Sequence, residues 1–465
     1  MLFNSFLFCY FFAAVFALRW LLPRKFVAPL LLVASYVFYL SWGIKYGALV
    51  FGMTLFTYLA ASKIKAAPDP VTRKRRLVFA VVGLLIPLLF FKYADFLLGT
   101  IGVKTRLGLE LPLGISFYTF EMLSYVVDLY RGGPEAKSIP QFFLYVAYFP
   151  HLVAGPIVRA DELLPELEKK QRFDSEKVSE GMFIALFGLT KKMVFADNLG
   201  AFANEVFAAP EKQTGPYLWL GVLAYTGQIF CDFSGYTDIA RGTSMMLGYE
   251  LPENFDYPYA SSNIAEFWRR WHMTLSRWLR DYLYISLGGN RGGKLATYRN
   301  LFLTMAIGGL WHGARWTFVA WGAYHGILLA VHKLFDDYTK KRPGIVRVRK
   351  SAPYRVVATA VTLLQVVIGW VFFRAETFTK ARTVLVGMAS FKGPLPVFDT
   401  LPPDRKLVLQ LLGGLVVMHA LGVFKVGLTV HRKLPAVARG LVWAAFAYTC
   451  YFYATNSPLF IYFNF

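Results

Sequence analysis

Acidic residues are scarce in this chain, and charge of either sign is thin. Of 465 residues only 17% are charged, and 28 Asp+Glu stand against 50 Lys+Arg. An ordinary soluble domain carries about 25% charged and about 45–50% apolar residues; here 56% are hydrophobic and the mean hydropathy is +0.44. A water-soluble enzyme is excluded on that arithmetic, as are a disordered tail and a coiled coil. Cysteine is nearly absent. Cys9, Cys231 and Cys450 show neither disulfide-framework nor metal-ligand spacing, and read as small buried apolar residues. Several catalytic signatures are missing too: no G-x-S-x-G elbow, no H-E-x-x-H zinc pair and no G-x-x-x-x-G-K-[ST] phosphate loop occurs. There is no internal repeat, no low-complexity tract and no long Pro/Gly linker, so residues 1–465 read as one membrane domain.

What is abundant is aromatic and basic. The 43 Phe, 27 Tyr and 11 Trp suit lipid-facing packing and the membrane–water interface. The net charge of +22 would suggest nucleic acid in a soluble protein. Here the cations gather between apolar runs, the pattern of cytoplasmic loops in a multi-pass protein. Ser62–Arg76, Lys333–Arg355 and Lys425–Arg439 are such loops. Counting outward from them puts both termini on the outer face. A spanning helix needs about 20 apolar residues. Runs near 1–18 (an uncleaved anchor), 26–42, 46–61, 77–91, 113–130, 139–157, 181–197, 216–232, 356–373, 407–424 and 440–460, with a further span in 299–332, give about 10–12 spans and an all-α polytopic fold.

Two stretches fit neither span nor loop. Asp161–Glu180 is highly charged and reads as a cytoplasmic surface helix. In Tyr257–Arg299 the apolar residues Phe267, Trp271, Leu275, Trp278 and Tyr282 recur at three- and four-residue steps, which predicts an amphipathic helix in the interface or dipping into the protein.

Seven histidines are present. His312 stands out because it lies in a weakly charged run too long for one span, with Gly308, Gly309 and Gly313 as natural break points. A broken helix at membrane depth must be surrounded by protein or a cavity, and an ionisable group there is a functional candidate; a histidine satisfied by a backbone carbonyl is the structural alternative. His272 sits beside Trp271 and the Arg269–Arg270 pair, as catalyst or interface anchor. His151 ends an apolar run beside a Gly-Pro break, lining a cavity or capping a helix, and His325 reads as a packing residue. His332 and Asp337 match the H-x-x-x-x-D pattern of soluble glycerolipid acyltransferases, although an interface anchor explains them better. Asp232 and Asp238 read as helix-cap and ion-pair partners of Arg241. Composition and spacing thus reach a membrane enzyme or transporter, without choosing the reaction.

Six motifs choose it by likeness. Pro112-Leu-Gly-Ile-Ser-Phe-Tyr-Thr-Phe, Phe149-Pro-His-Leu-Val-Ala-Gly-Pro-Ile, Asp232-Phe-Ser-Gly-Tyr-Thr-Asp-Ile-Ala, Asn254-Phe-Asp-Tyr-Pro-Tyr, Phe267-Trp-Arg-Arg-Trp-His-Met-Thr-Leu-Ser and Gly309-Leu-Trp-His-Gly-Ala are spread over nearly the whole chain. Together they resemble the membrane-bound O-acyltransferase (MBOAT) family, in its bacterial alginate O-acetylation and teichoic-acid D-alanylation branch. The resemblance implies a ring of tilted helices around a central funnel, with His312 as the essential histidine and His272 as the second active-site position. It implies an acyl donor, acetyl-CoA, arriving from the cytoplasm, and an exported polysaccharide such as alginate as final acceptor. It also implies relay through an extracytoplasmic SGNH-type partner, at the bacterial inner membrane, with no bound cofactor and no metal. Two rivals stay open: D-alanyl transfer from a carrier-protein thioester, and a polysaccharide or lipid-linked-sugar transporter with His312 as a proton relay.

Overall fold

The computed structural model describes residues 1–103, 106–394, 401–453 and 460. Among them every regular element is helical. Five helical stretches are long and apolar enough to cross a membrane: Ile44–Lys65, Pro70–Thr100, Trp316–Thr339, Ala352–Arg374 and Pro403–Val423. Others, such as Phe6–Leu21 and Ile115–Tyr130, are apolar but only 16 residues long. The protein is an all-α, polytopic membrane protein.

The chain separates into two compact units, Met1–Leu189 with Tyr236–Glu253, and Thr190–Gly235 with Asn254–Phe465. In the first unit, polar residues at the helix starts absorb backbone N–H groups that would otherwise go unsatisfied. Ser5 accepts from Phe8 and Asp69 from Val71 and Thr72. Behind them the rings of Phe3, Phe8, Phe11, Phe38 and Phe149 form one cluster with centroids 4.7–6.4 Å apart. Ile115–Tyr130 is buried along nearly its whole length, so its apolarity serves protein packing.

The run at 139–157 is not one span. Its helix is Ile139–Ala147, and the chain then turns through Pro150 and Gly155-Pro156, residues that deny the helix its hydrogen bonds and its φ/ψ. The charged stretch Asp161–Glu180 likewise divides: Ala160–Glu168 is helical, and a new helix begins at Ser175.

In the second unit the long apolar run breaks once, after His312. Gly293–His312 is continuous through Gly308 and Gly309, and the chain re-enters a helix at Trp316. Those glycines serve close approach. A Cβ on Gly309 would stand 2.3 Å from the Phe318 carbonyl oxygen, and one on Gly322 would stand 2.2 Å from that of Met305. Small residues let the two helix backbones touch, as membrane helices commonly do.

The Trp/Arg-rich stretch also differs from the single amphipathic helix its spacing predicts. It forms Ile264–Arg270 and Met273–Trp278, separated at His272 by a left-handed backbone (φ 42°, ψ 55°). A non-glycine residue there is uncommon and costs about 1–3 kcal/mol, which persists where surroundings over-determine it. Apolar periodicity reports which face is buried and is blind to one reversed residue.

Candidate active site

His312 is the last residue of its helix and is 3% exposed. Three rings wall it edge to face: Trp311 at 5.0 Å, Trp321 at 5.1 Å and Phe373 at 5.3 Å between centroids. Trp321 comes from the span after the break and Phe373 from the end of Ala352–Arg374, so three helices converge on the imidazole.

His272 is fully buried and meets Phe233 at 4.6 Å and Trp311 at 6.2 Å. The Trp311 ring therefore lies against both imidazoles, and the structure brings the two expected histidines to one indole. The tautomer of His272 follows from its neighbours. Asn254 Oδ1 accepts from the Thr274 backbone N–H at 3.1 Å and from the Thr274 hydroxyl at 2.9 Å, so that amide atom is the oxygen. His272 Nδ1 lies 3.1 Å from the same oxygen and must donate to it. Nε2 is then the lone-pair nitrogen. Burial pushes this imidazole down to about 3, which keeps it neutral at any physiological pH.

The remaining candidates fall elsewhere. His151 is buried in the first unit, with Nδ1 2.9 Å from Glu121 Oε1 and Nε2 3.1 Å from the Tyr145 carbonyl oxygen. Its nitrogens hold protein, in place of a cavity or a helix end. Asp337 pairs with Lys333 at 2.9 Å and Asp336 with Arg349 at 3.1 Å, a surface ion-pair set that gives His332 no catalytic partner. Asp238 does pair with Arg241, at 3.4 Å, as expected. Asp232 does not. It sits inside the 32-residue helix Gly215–Met246 and is buried against Lys192 at 2.9 Å, with Asp197 on the same ammonium at 2.7 Å. His325 packs among Trp321, Trp268 and Phe267. Cys231 and Cys450 are buried, whereas Cys9 is exposed on Phe6–Leu21. Sequence reasoning missed the orienting pair Asn254 and Thr274, for which the only signal was membership of two quoted motifs.

Buried imidazoles among aromatic rings, beside a helix broken within an apolar run, mark a candidate site in a membrane protein. The sequence profile of the MBOAT, membrane-bound O-acyltransferase, family matches residues 7–360. The chain is 44% identical over 403 residues to the probable alginate O-acetylase AlgI of Pseudomonas syringae, covering 84% of this chain and 76% of that one. It is 37% identical to the peptidoglycan O-acetyltransferase of Helicobacter pylori, over 83% of this chain and 77% of the relative. It is 27% identical to the teichoic acid D-alanyltransferase of Bacillus subtilis, over 64% and 78%. This chain belongs to the membrane-bound O-acyltransferase family and is a multi-pass O-acyltransferase.

Proposed function

We propose that this protein takes an acetyl group from acetyl-CoA on the cytoplasmic side of the bacterial inner membrane and delivers it for O-acetylation of an exported polysaccharide. Alginate is the acceptor named in several relatives. Residues 1–465 serve as one membrane domain, with both termini on the outer face. An extracytoplasmic SGNH-type transferase completes the relay, and the protein itself binds no cofactor or metal.

His312 is the general base. Its ring removes the proton from an acceptor hydroxyl as that oxygen attacks the thioester carbonyl carbon. The tetrahedral intermediate collapses, the C–S bond breaks, and the proton passes from the imidazolium to the leaving thiolate. Ester and free thiol result, with no net proton gained or lost. A positioned base contributes about 10²–10⁴-fold, and the end of Gly293–His312 favours the transient imidazolium. His272 orients the acceptor. As the Nδ1–H tautomer it presents a lone pair at Nε2, suited to accept from a hydroxyl; a neutral ring in this tautomer has no Nε2 proton to offer an oxyanion.

The observation that carries this reading is the placement of His312 at a helix break inside an apolar region, enclosed by Trp311, Trp321 and Phe373. The donor is tested with purified protein in vesicles by following thioester loss from acetyl-CoA and from an acyl-charged carrier protein. Discharge of acetyl-CoA by the wild type, lost in His312→Ala, is the expected result. Discharge of the carrier alone would replace acetyl-CoA as donor.

A further inference from the structure

Acyl transfer from a thioester creates an oxyanion. As the acceptor oxygen bonds to the carbonyl carbon, the carbonyl pair moves onto its own oxygen, and catalysis gains most from a donor aimed there. His312 holds the hydroxyl proton at that moment and passes it on to sulfur. His272, as the Nδ1–H tautomer, presents a lone pair at Nε2. The donor must come from another side chain.

Trp321 carries one beside the base. It is 1% exposed, and among the described residues its Nε1–H has no hydrogen-bond partner. Its ring meets His312 at 5.1 Å with the planes at 88°. At that separation an oxygen about 3 Å from an atom of each ring fits between them. The same indole meets His325 at 5.0 Å and stacks on Trp370 at 5.9 Å. Phe373, which also walls His312, has no polar atom to offer.

A buried N–H without an acceptor is unfavourable in the resting protein, because folding took away its bond to water. At a reacting centre that deficit becomes useful. The neutral thioester oxygen is a weak acceptor, whereas a bond to an ionised oxygen is about twice as strong. Stabilisation that grows between the ground state and the transition state lowers the barrier.

Such a donor must also be held still. Trp321 precedes Gly322, where a Cβ would stand 2.2 Å from the Met305 carbonyl oxygen, and a Cβ on Gly309 would stand 2.3 Å from that of Phe318. Met305 and Gly309 belong to the helix that ends at His312, and Phe318 and Gly322 to the one that carries Trp321. Base and donor therefore sit on two helices packed backbone to backbone.

We propose that the Trp321 indole N–H is the oxyanion donor of the acyl-transfer site. It donates a hydrogen bond and gives up no proton. The carbonyl pair returns as the C–S bond breaks, and the proton on His312 passes to the thiolate. This rests on the reading of His312 as the general base.

The test removes the N–H alone. 3-Benzothienylalanine in place of Trp321 keeps the fused ring and puts sulfur where the N–H was. The whole chain in vesicles is followed by loss of whichever thioester the wild type discharges, acetyl-CoA or an acyl-charged carrier protein. The value of kcat should fall by about 10²–10³-fold with KM unchanged. The unfolding temperature should not drop, because the resting protein loses no hydrogen bond. Trp321→Phe, which also lacks the donor, should fall at least as far. The same analogue in place of Trp370 is the control. That indole is equally buried, with an N–H equally without a partner, and its ring lies against Trp271, Trp321 and Phe373; its kcat should stay at the wild-type value. A kcat within a fewfold of wild type for the Trp321 analogue would overturn the assignment. A loss carried by KM would overturn it too, as would an equal loss at Trp370, which would make the effect one of packing. His312→Ala separates this from the reading beneath it. Transfer lost in that variant but kept by the Trp321 analogue removes Trp321 alone; transfer that survives His312→Ala removes the base, whatever the analogue does.

Discussion

His151 in the first unit and His312 in the second are both buried, both beside apolar runs, and differ in what surrounds them. His151 spends Nδ1 on Glu121 and Nε2 on a backbone carbonyl, within a turn made by Pro150 and Gly155. His312 ends a helix and is walled by three aromatic rings. An imidazole gripped at both nitrogens by carboxylate and carbonyl holds a fold together. In the proposed mechanism, the one enclosed by rings at a helix terminus exchanges a proton. Burial and residue type alone do not separate these cases; the neighbours do.

The sharpest way to break this contrast is to remove each residue in turn. His312→Ala should cost at least the 10²–10⁴-fold of a general base with an unchanged unfolding temperature, as read by transfer rate and thermal unfolding in detergent. A rate within a fewfold of wild type would move His312 into the structural class. Glu121→Leu should do the reverse. Leaving a buried polar group without its partner costs about 1–3 kcal/mol, so folded yield should drop while each surviving molecule still transfers; normal stability would deny His151 its structural role.

Gly322→Val tests the backbone contact that positions the His312 helix. With its Cβ 2.2 Å from the Met305 oxygen, the added side chain should destabilise by about 1–3 kcal/mol and lower transfer among folded molecules, because Gly293–His312 must shift. Asn254→Ala removes the acceptor that fixes the His272 tautomer. The loss of about 1 kcal/mol in orientation should appear as roughly fivefold in kcat. The pH profile should keep its shape, since the lowered His272 pKa leaves the ring neutral everywhere above about 3; a profile that moves between pH 5 and 8 would show that His272 titrates there. The smallest effect belongs to Asp337→Asn. Its i,i+4 pair with Lys333 is half-exposed, where such pairs contribute little, and transfer should stay within error.

The fold class was readable from composition, because apolar content and basic loops are imposed by the bilayer. His312 was readable from a conflict: a histidine in an apolar run too long for one helix. The break's position was half readable. Three glycines offered it, and only packing distinguishes Gly313, where the chain turns, from Gly308 and Gly309, which bring two backbones together. The left-handed residue at His272 was hidden, since its neighbours keep a helical apolar period on both sides of the reversal. Asp232 was misplaced because its partner Lys192 lies 40 positions earlier in the chain. Long-range pairing leaves no local trace.

The most direct test of the central claim is the O-acetyl content of the exported polysaccharide in cells carrying His312→Ala at wild-type membrane abundance. Acetylation should vanish while polymer output persists. Acetylation that survives would remove His312 from the chemistry, and a collapse of export itself would put transport in place of acyl transfer.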